Sequence, residues 1–220
     1  MSNASPVEPY TILVQASPQE ILEAKNPWDL NLEQLKQWPS VKQILVVMPE
    51  GLEGLDQARE RLAQWDVESF AGNSYNVARR MLDVSTSYPL EFFCVRVLAY
   101  WKHVDLAYVD TLVTRMRAQP CDMVCPPKDF DLTFGADVAS LDAIRKVSLF
   151  QGDSQEISRA QFNPWGYIET HPEDFNVTTL ADAPVYDSEK QKAILADKRC
   201  HPENEYLGRD FGGTCYHFFV

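Results

Sequence analysis

The stretch Phe92-Phe-Cys-Val-Arg-Val-Leu98 is followed by Ala-Tyr-Trp-Lys-His-Val-Asp105 and by a segment with apolar residues at three- and four-residue spacing. A short apolar run rich in β-branched and aromatic side chains is typical of a strand buried on both faces. The segment after it predicts a helix over Ala107–Arg117. A buried strand, a turn and a helix in this order indicate an α/β protein with a ligand crevice at the carboxyl end of the strand.

The same alternation extends through most of the chain and predicts a three-layer α/β fold. Its sheet is expected to be mostly parallel, with helices on both faces. The other predicted strands are Ile12–Gln15, Ile44–Met48 and Met123–Cys125, and the other predicted helices are Leu30–Trp38, Gly54–Trp65, Val77–Leu82 and Leu141–Val147.

A length of 220 residues fits one domain, which we assign to residues 11–220. Residues 1–10 are interpreted as a flexible leader or a tag remnant. After about residue 150, frequent proline and glycine break the pattern, so residues 150–220 are expected to form an irregular C-terminal arm. Such an arm is a candidate surface for homodimer formation.

The charge of the chain restricts its partners. Twenty basic against thirty-two acidic side chains give a net charge of −12, which argues against nucleic acid and anionic membranes as partners. No signal peptide or membrane-spanning run is recognisable, so a cytoplasmic location is expected. Five scattered cysteines without a C-x2-C pair predict reduced thiols rather than disulfides or a zinc site.

Several segments, taken in order, carry a resemblance to a known family. They are Ile12-Leu-Val-Gln-Ala16, Ser40–Met48, Phe70-Ala-Gly-Asn-Ser-Tyr-Asn-Val-Ala-Arg79, Phe93–Asp105, Phe134-Gly-Ala-Asp-Val138 and Tyr167–Phe175. In pattern they resemble the cytidylyltransferases of the spore-coat polysaccharide biosynthesis type, relatives of the enzymes that make CMP-activated sugar acids. The resemblance covers about Thr11 to Leu180 and implies a nucleotide-diphospho-sugar transferase-like fold.

The resemblance also implies roles for individual residues. Gln15, Gly72, Asn76, Arg79 and Arg96 match positions that face the nucleotide, and Asp137 matches one of two acidic positions that hold Mg²⁺. Each has a structural alternative: Gly72 suits a turn, Asn76 a helix N-cap, and Arg96 an ion pair inside the sheet.

Other residues depart from the family pattern. No glycine precedes Gly51, and instead of a glycine-rich triphosphate loop the first strand leads into Ser17-Pro-Gln-Glu20, a capping box that starts a helix. The position of the first metal-binding aspartate is Tyr100, and Ala139 stands two residues after Asp137 where a second acid is expected. A phenol is a poor ligand for Mg²⁺.

These departures predict a cytidylyltransferase-like domain of surface-polysaccharide biosynthesis that has lost nucleotidyl transfer. Such a domain would act in binding, regulation or assembly, with a nucleotide or a sugar as its expected ligand. Its catalytic residues stay unassigned. One alternative is an active, Mg²⁺-dependent cytidylyltransferase making a CMP- or CDP-activated sugar. A second is a glycosyltransferase that holds a metal through the D-x-D sequence Asp129-Phe-Asp131.

Overall fold

The computed structural model describes residues 7–101, 103–128, 130 and 134–184. The strands are β1 (Tyr10–Gln15), β2 (Val41–Pro49), β3 (Glu68–Gly72), β4 (Phe93–Leu98), β5 (Met123–Cys125), β6 (Asp137–Ser140) and β7 (Val177–Thr179). The helices are α1 (Pro18–Glu23), α2 (Leu32–Gln37), α3 (Leu55–Gln64), α4 (Val77–Ser87), α5 (Leu106–Ala118), α6 (Leu141–Ser148), α7 (Ser154–Phe162) and α8 (Pro164–Thr170), and a 3-10 turn covers Pro27–Leu30.

The strands form one sheet in the order β3-β2-β1-β4-β6-β5-β7. Strand β6 runs antiparallel to its neighbours β4 and β5, and the other pairs are parallel. The chain moves outward from β1 to β2 and β3, then returns to the other side of β1 for β4. The switch point therefore lies between β1 and β4, where ligands commonly bind in open α/β sheets.

Both faces of the sheet are covered by helices, as predicted. On one face, Ile12 and Val14 belong to a core cluster shared with α1, α2, α3 and α5. On the other, Leu13 belongs to a cluster shared with α4, α6, α7 and α8. Successive residues of a strand point to opposite faces, so a continuous apolar run fills both clusters. The predicted three-layer, mostly parallel α/β architecture is confirmed.

Two predicted helices have different bounds in the structure. The helix expected over Leu30–Trp38 is divided, because Asn31 has a left-handed φ of 61° and separates the 3-10 turn from α2. Asparagine tolerates this conformation better than most residues. Helix α4 continues past the predicted end at Leu82 to Ser87.

The segment expected to be irregular contains regular structure in its described part. Helices α7 and α8 begin after Asp153 and Asn163, whose side chains accept hydrogen bonds from backbone N–H groups of the first turn. Strand β7 then joins the sheet edge beside β5. The turn-forming residues that interrupt the pattern are thus partly helix caps. Residues 185–220 lie outside the described residues, so the dimerisation role of the arm stays a prediction.

Two further expectations concern cysteines and membrane spans. Cys94, Cys121 and Cys125 are buried free thiols, and burial raises the pKa of Cys94 to about 12. Cys200 and Cys215 lie outside the described residues. Within the described part of the chain, no helix combines the length and apolar character needed to cross a membrane.

A carboxylate on α5 fixes the amino end of the sheet. Asp110 accepts hydrogen bonds from the Tyr10 hydroxyl at 2.8 Å, the Trp38 indole N–H at 3.0 Å and the Ser40 hydroxyl at 3.1 Å. Burial and the neighbouring Asp110 charge raise the pKa of Tyr10 above its usual value. One side chain therefore joins α5 to the start of β1 and to the segment that leads into β2.

We expect Asp110→Ala to lower the free energy of unfolding by about 2 kcal/mol, because three donors lose their shared acceptor. Urea denaturation followed by tryptophan fluorescence measures this. Thr111→Ala, one residue further along α5 on an exposed position, is the matched control. Equal effects of the two variants would contradict the anchoring role of Asp110.

Candidate functional site

Three of the residues predicted to form a site meet beside the switch point. Arg96 on β4 lies directly opposite Asp137 in the antiparallel pairing with β6. The Arg96 Nε donates to Asp137 Oδ2 at 2.8 Å, and Nη2 donates to the same oxygen. Arg96 is 4% exposed and Asp137 is 2% exposed. The sequence left a pocket and an ion pair as alternatives for Arg96, and the structure contains the ion pair.

The remaining surface of the Arg96 guanidinium is also in contact with protein groups. Its Nη1 donates to Gln15 Oε1 at 3.2 Å, so Gln15 joins the same cluster. The Arg96 Cζ atom lies 4.0 Å from the ring centroid of Trp165 on α8 and 5.6 Å from that of Trp101. Tryptophan faces attract cations through the ring quadrupole. The N–H donors and the planar face of Arg96 therefore contact other groups of the protein.

The surroundings of Asp137 do not fit a hydrated Mg²⁺ ion. Burial raises the pKa of its carboxyl group, while the Arg96 guanidinium opposes this shift by favouring the charged form. The pairing partner already occupies Asp137 Oδ2, and the two other family positions carry buried Tyr100 and Ala139. Mg²⁺ requires several hard oxygen ligands and usually retains waters. Among the described residues, no group of three or more His, Cys, Asp or Glu side chains is arranged to hold a metal.

The connection after β1 is too short to form a phosphate-binding loop. Only Ala16 and Ser17 separate the end of β1 from the start of α1. Ser17 Oγ accepts the Glu20 N–H at 3.2 Å, and the Glu20 carboxylate accepts the Ser17 N–H at 2.6 Å. The predicted capping box is thus present. Ser17 and Glu20 thus hydrogen-bond to each other at the position where the sequence resemblance implies a triphosphate-binding loop.

Buried side chains also fill the turn after β4. Ala99, Tyr100 and Trp101 are buried members of the core cluster shared with α1 and α2. The Trp101 carbonyl accepts a hydrogen bond from the Asn31 side-chain amide at 3.1 Å. In the described part of the chain, protein side chains therefore fill the carboxyl ends of β1 and β4.

The other predicted residues, Gly72, Asn76 and Arg79, lie beside an open groove at the β3 edge of the sheet. The groove has a volume of about 640 Å³ and lies between the edge strand β3 and the side of α4. Gly72 and Arg79 line it. Asn76 instead caps α4, since its side chain accepts the Arg79 N–H at 2.8 Å and donates to the Ser148 carbonyl at 3.4 Å. The lining residues are Glu50, Phe70, Ala71, Gly72, Asn73, Arg79, Asp83, Thr86 and Ser87.

Arg80, the buried arginine of α4, was not predicted from the sequence as a site residue. Its Nη1 donates to the Asn73 carbonyl at 2.9 Å, and within the described part of the chain its Nε has no hydrogen-bond partner. Burial lowers the pKa of Arg80 to about 10, and the positive charge of Arg96 acts in the same direction. The helical spacing could have indicated its burial, because Arg80 falls on the same face as buried Val77 and Val84.

Asp129 and Asp131, the acids of the D-x-D sequence, lie outside the described residues, so the glycosyltransferase hypothesis stays a prediction.

Comparisons with solved structures show the class of fold. A cytidylyltransferase from Leptospira borgpetersenii serovar Hardjo-bovis matches with a TM-score of 0.65 and 18% identity, covering 80% of this chain and 77% of that chain. A manganese complex of Rv0371C from Mycobacterium tuberculosis H37Rv matches with a TM-score of 0.52 and 12% identity, covering 85% and 97%. The 4-diphosphocytidyl-2C-methyl-D-erythritol synthase of Anaerococcus prevotii matches with a TM-score of 0.52 and 8% identity, covering 83% and 92%.

The chain therefore has the nucleotide-diphospho-sugar transferase-like fold of cytidylyltransferase-type nucleotidyltransferases. No protein-family model matches the sequence, and no curated protein matches it. At identities this low the similarity establishes the fold, and activity depends on the residues at the site.

A double-mutant cycle tests whether Arg96 and Asp137 stabilise each other. We expect Arg96→Met or Asp137→Leu alone to lower the free energy of unfolding by about 3 kcal/mol or more, because each leaves an unpaired buried charge. The double variant is expected to lose much less than the sum of the two. Urea denaturation of all four proteins measures the coupling.

The exposed pair Arg145–Asp142 on α6 provides the control. We expect Arg145→Met to change stability by about 0.5 kcal/mol or less, because solvent screens this pair. Additive effects of Arg96→Met and Asp137→Leu would contradict the inferred coupling.

Proposed function

We propose that this chain is a cytidylyltransferase-like domain of surface-polysaccharide biosynthesis that has lost nucleotidyl transfer and serves as a binding, regulatory or assembly domain. The observation that carries the proposal is the two-residue connection Ala16–Ser17 between β1 and α1. The polysaccharide context rests on the sequence resemblance from Thr11 to Leu180.

The chemistry of nucleotidyl transfer explains why this connection matters. A bound triphosphate needs several backbone N–H groups and cations, since three phosphate groups must be positioned and the charge on departing pyrophosphate stabilised. Residues 1–50 contain only Lys25, Lys36 and Lys42 as cations and no glycine. The capping interaction between Ser17 and Glu20 uses the N–H groups nearest to β1 and places a carboxylate beside them.

The environment of Asp137 gives independent support. In nucleotidyl transfer a divalent ion would be held by carboxylates and would stabilise the charge that develops on the phosphates. Here the Asp137 carboxylate is bound to Arg96, and Tyr100 and Trp101 are packed into the core. The residues present at the switch point thus disfavour group transfer.

The competing candidate is an active, metal-dependent cytidylyltransferase. It is favoured by the similarity to a solved structure described as a cytidylyltransferase and to a second solved as a manganese complex. For this candidate, Asp137 would hold the metal together with a second acid that the sequence does not identify. Divalent-metal dependence is plausible for this class of fold, and Mg²⁺ is the ion expected from the resemblance.

A pyrophosphate-release assay separates the two candidates. We expect no release above background when the protein is incubated with CTP, Mg²⁺ or Mn²⁺ and a panel of sugar acids and sugar phosphates. We also expect no rise in melting temperature with millimolar CTP and Mg²⁺, because a ligand stabilises the folded state that binds it. An active cytidylyltransferase assayed in parallel provides the positive control.

Metal-dependent release of pyrophosphate would contradict the proposal. Asp137→Asn would then test the metal role directly, with Asp142→Asn on the surface of α6 as its matched control. Release that is lost in an Asp137→Asn protein whose thermal melt shows it to be folded, and kept in Asp142→Asn, would establish the active enzyme.

A further inference from the structure

The groove between β3 and α4 is separated from the closed switch point by β2 and β1. Strand β3 is the outermost strand on this side of the described sheet, and it pairs with β2 only. The groove is bounded by Glu50 and Asn73 near the strand ends, by Phe70 and Gly72 along β3, and by the side of α4 that carries Arg79, Asp83, Thr86 and Ser87.

Hydrogen bonds hold the loop side of the groove in place. The Asn73 carbonyl accepts from Arg80 Nη1 at 2.9 Å, and Asn73 Oδ1 accepts the N–H groups of Tyr75 and Asn76 at 3.0 and 2.8 Å. The Glu50 N–H donates to the Gly72 carbonyl at 2.7 Å. A wall fixed in this way loses little conformational entropy when a ligand binds.

Gly72 is required where β3 forms the floor of the groove. A Cβ atom at this position would lie 2.8 Å from the Phe70 ring and 3.1 Å from Arg80 Cγ. The absence of a side chain at Gly72 therefore leaves room for both the Phe70 ring and the Arg80 side chain beside this strand. Phe70 gives the groove an apolar surface next to its polar groups.

The charges in the groove restrict the chemistry of its ligand. Glu50 is exposed, and its carboxylate makes no hydrogen bond with the described residues. Asp83 accepts from Arg79 Nε at 2.8 Å, and the Glu50 carboxylate favours the charged form of buried Arg80 behind the wall, so two carboxylates stand beside two guanidiniums. Carboxylates only accept hydrogen bonds, and fully ionised phosphates also only accept. The groove therefore has no excess of positive charge to attract nucleotide phosphates, and its carboxylate acceptors favour a neutral ligand that donates hydrogen bonds.

We propose that this groove binds a neutral, polyhydroxylated ring, that is, a sugar. Sugar hydroxyls both donate and accept, so they match the Glu50 and Asp83 carboxylates, the Asn73 side-chain NH₂ group and Arg79. The apolar C–H face of the ring matches Phe70. The inference rests on the proposed function, for which it names the ligand class of a binding domain and places that ligand away from the β1–β4 switch point.

Saturation-transfer NMR with the full chain tests this inference. The probes are the methyl glycosides of glucose, galactose, mannose and N-acetylglucosamine, with CMP and inorganic phosphate as anionic comparisons. We expect at least one glycoside to bind, and Glu50→Gln to weaken its binding about tenfold by removing a charged acceptor. Asp83→Asn, on the other wall, is expected to weaken it as well.

Glu53→Gln is the matched control, because Glu53 is an exposed acid in the adjacent turn and does not line the groove. Thermal melts of each variant verify folding. Absence of binding by all four glycosides, displacement of a bound glycoside by phosphate, or equal loss in Glu50→Gln and Glu53→Gln would overturn the inference. Failure here leaves the pyrophosphate result unaffected, whereas pyrophosphate release would overturn the proposed function whatever the groove binds.

Discussion

The buried ion pair between Arg96 and Asp137 is the interaction on which the centre of the molecule depends. It joins β4 to β6, the only antiparallel strand of the described sheet, and so connects the parallel half of the sheet to the half formed later in the chain. Two charges in an apolar environment are favourable only when their hydrogen bonds are nearly complete. Gln15 and the rings of Trp165 and Trp101 complete the environment of Arg96, and in doing so they fill the switch point.

This arrangement separates architecture from chemistry. The fold is that of cytidylyltransferase-type nucleotidyltransferases, yet the strand ends where such a fold would hold a nucleotide contain Tyr100, Trp101 and a capped helix start. The open groove lies at the β3 edge and has no excess of cations, since Arg79 faces Asp83 and Arg80 interacts with Glu50. The net charge of −12 agrees with a surface that does not attract polyphosphates.

Much of the fold could be predicted from local patterns, because strands buried on both faces are continuous apolar runs and Ser17-Pro-Gln-Glu20 is a complete capping box. The candidate site was harder to predict from the sequence. Arg79 and Arg80 are adjacent in sequence, and only the apolar positions Val77 and Val84 indicate that Arg80 is the buried one. The contact of Trp165 with Arg96 joins residues far apart in the chain, and no local pattern encodes it. Glu50 became a candidate only once the pairing of β2 with β3 placed it beside Gly72.

In the described residues, protein side chains close the switch point between β1 and β4. The most direct measurement is an NMR titration of the ¹⁵N-labelled chain with CTP and Mg²⁺, following the Arg96 Nε–H and the indole N–H groups of Trp101 and Trp165. We expect these signals to be protected from solvent exchange and not to shift as nucleotide is added, because the groups are buried. Saturable shifts of these signals, with faster exchange in the free protein, would show an open nucleotide site and contradict the account.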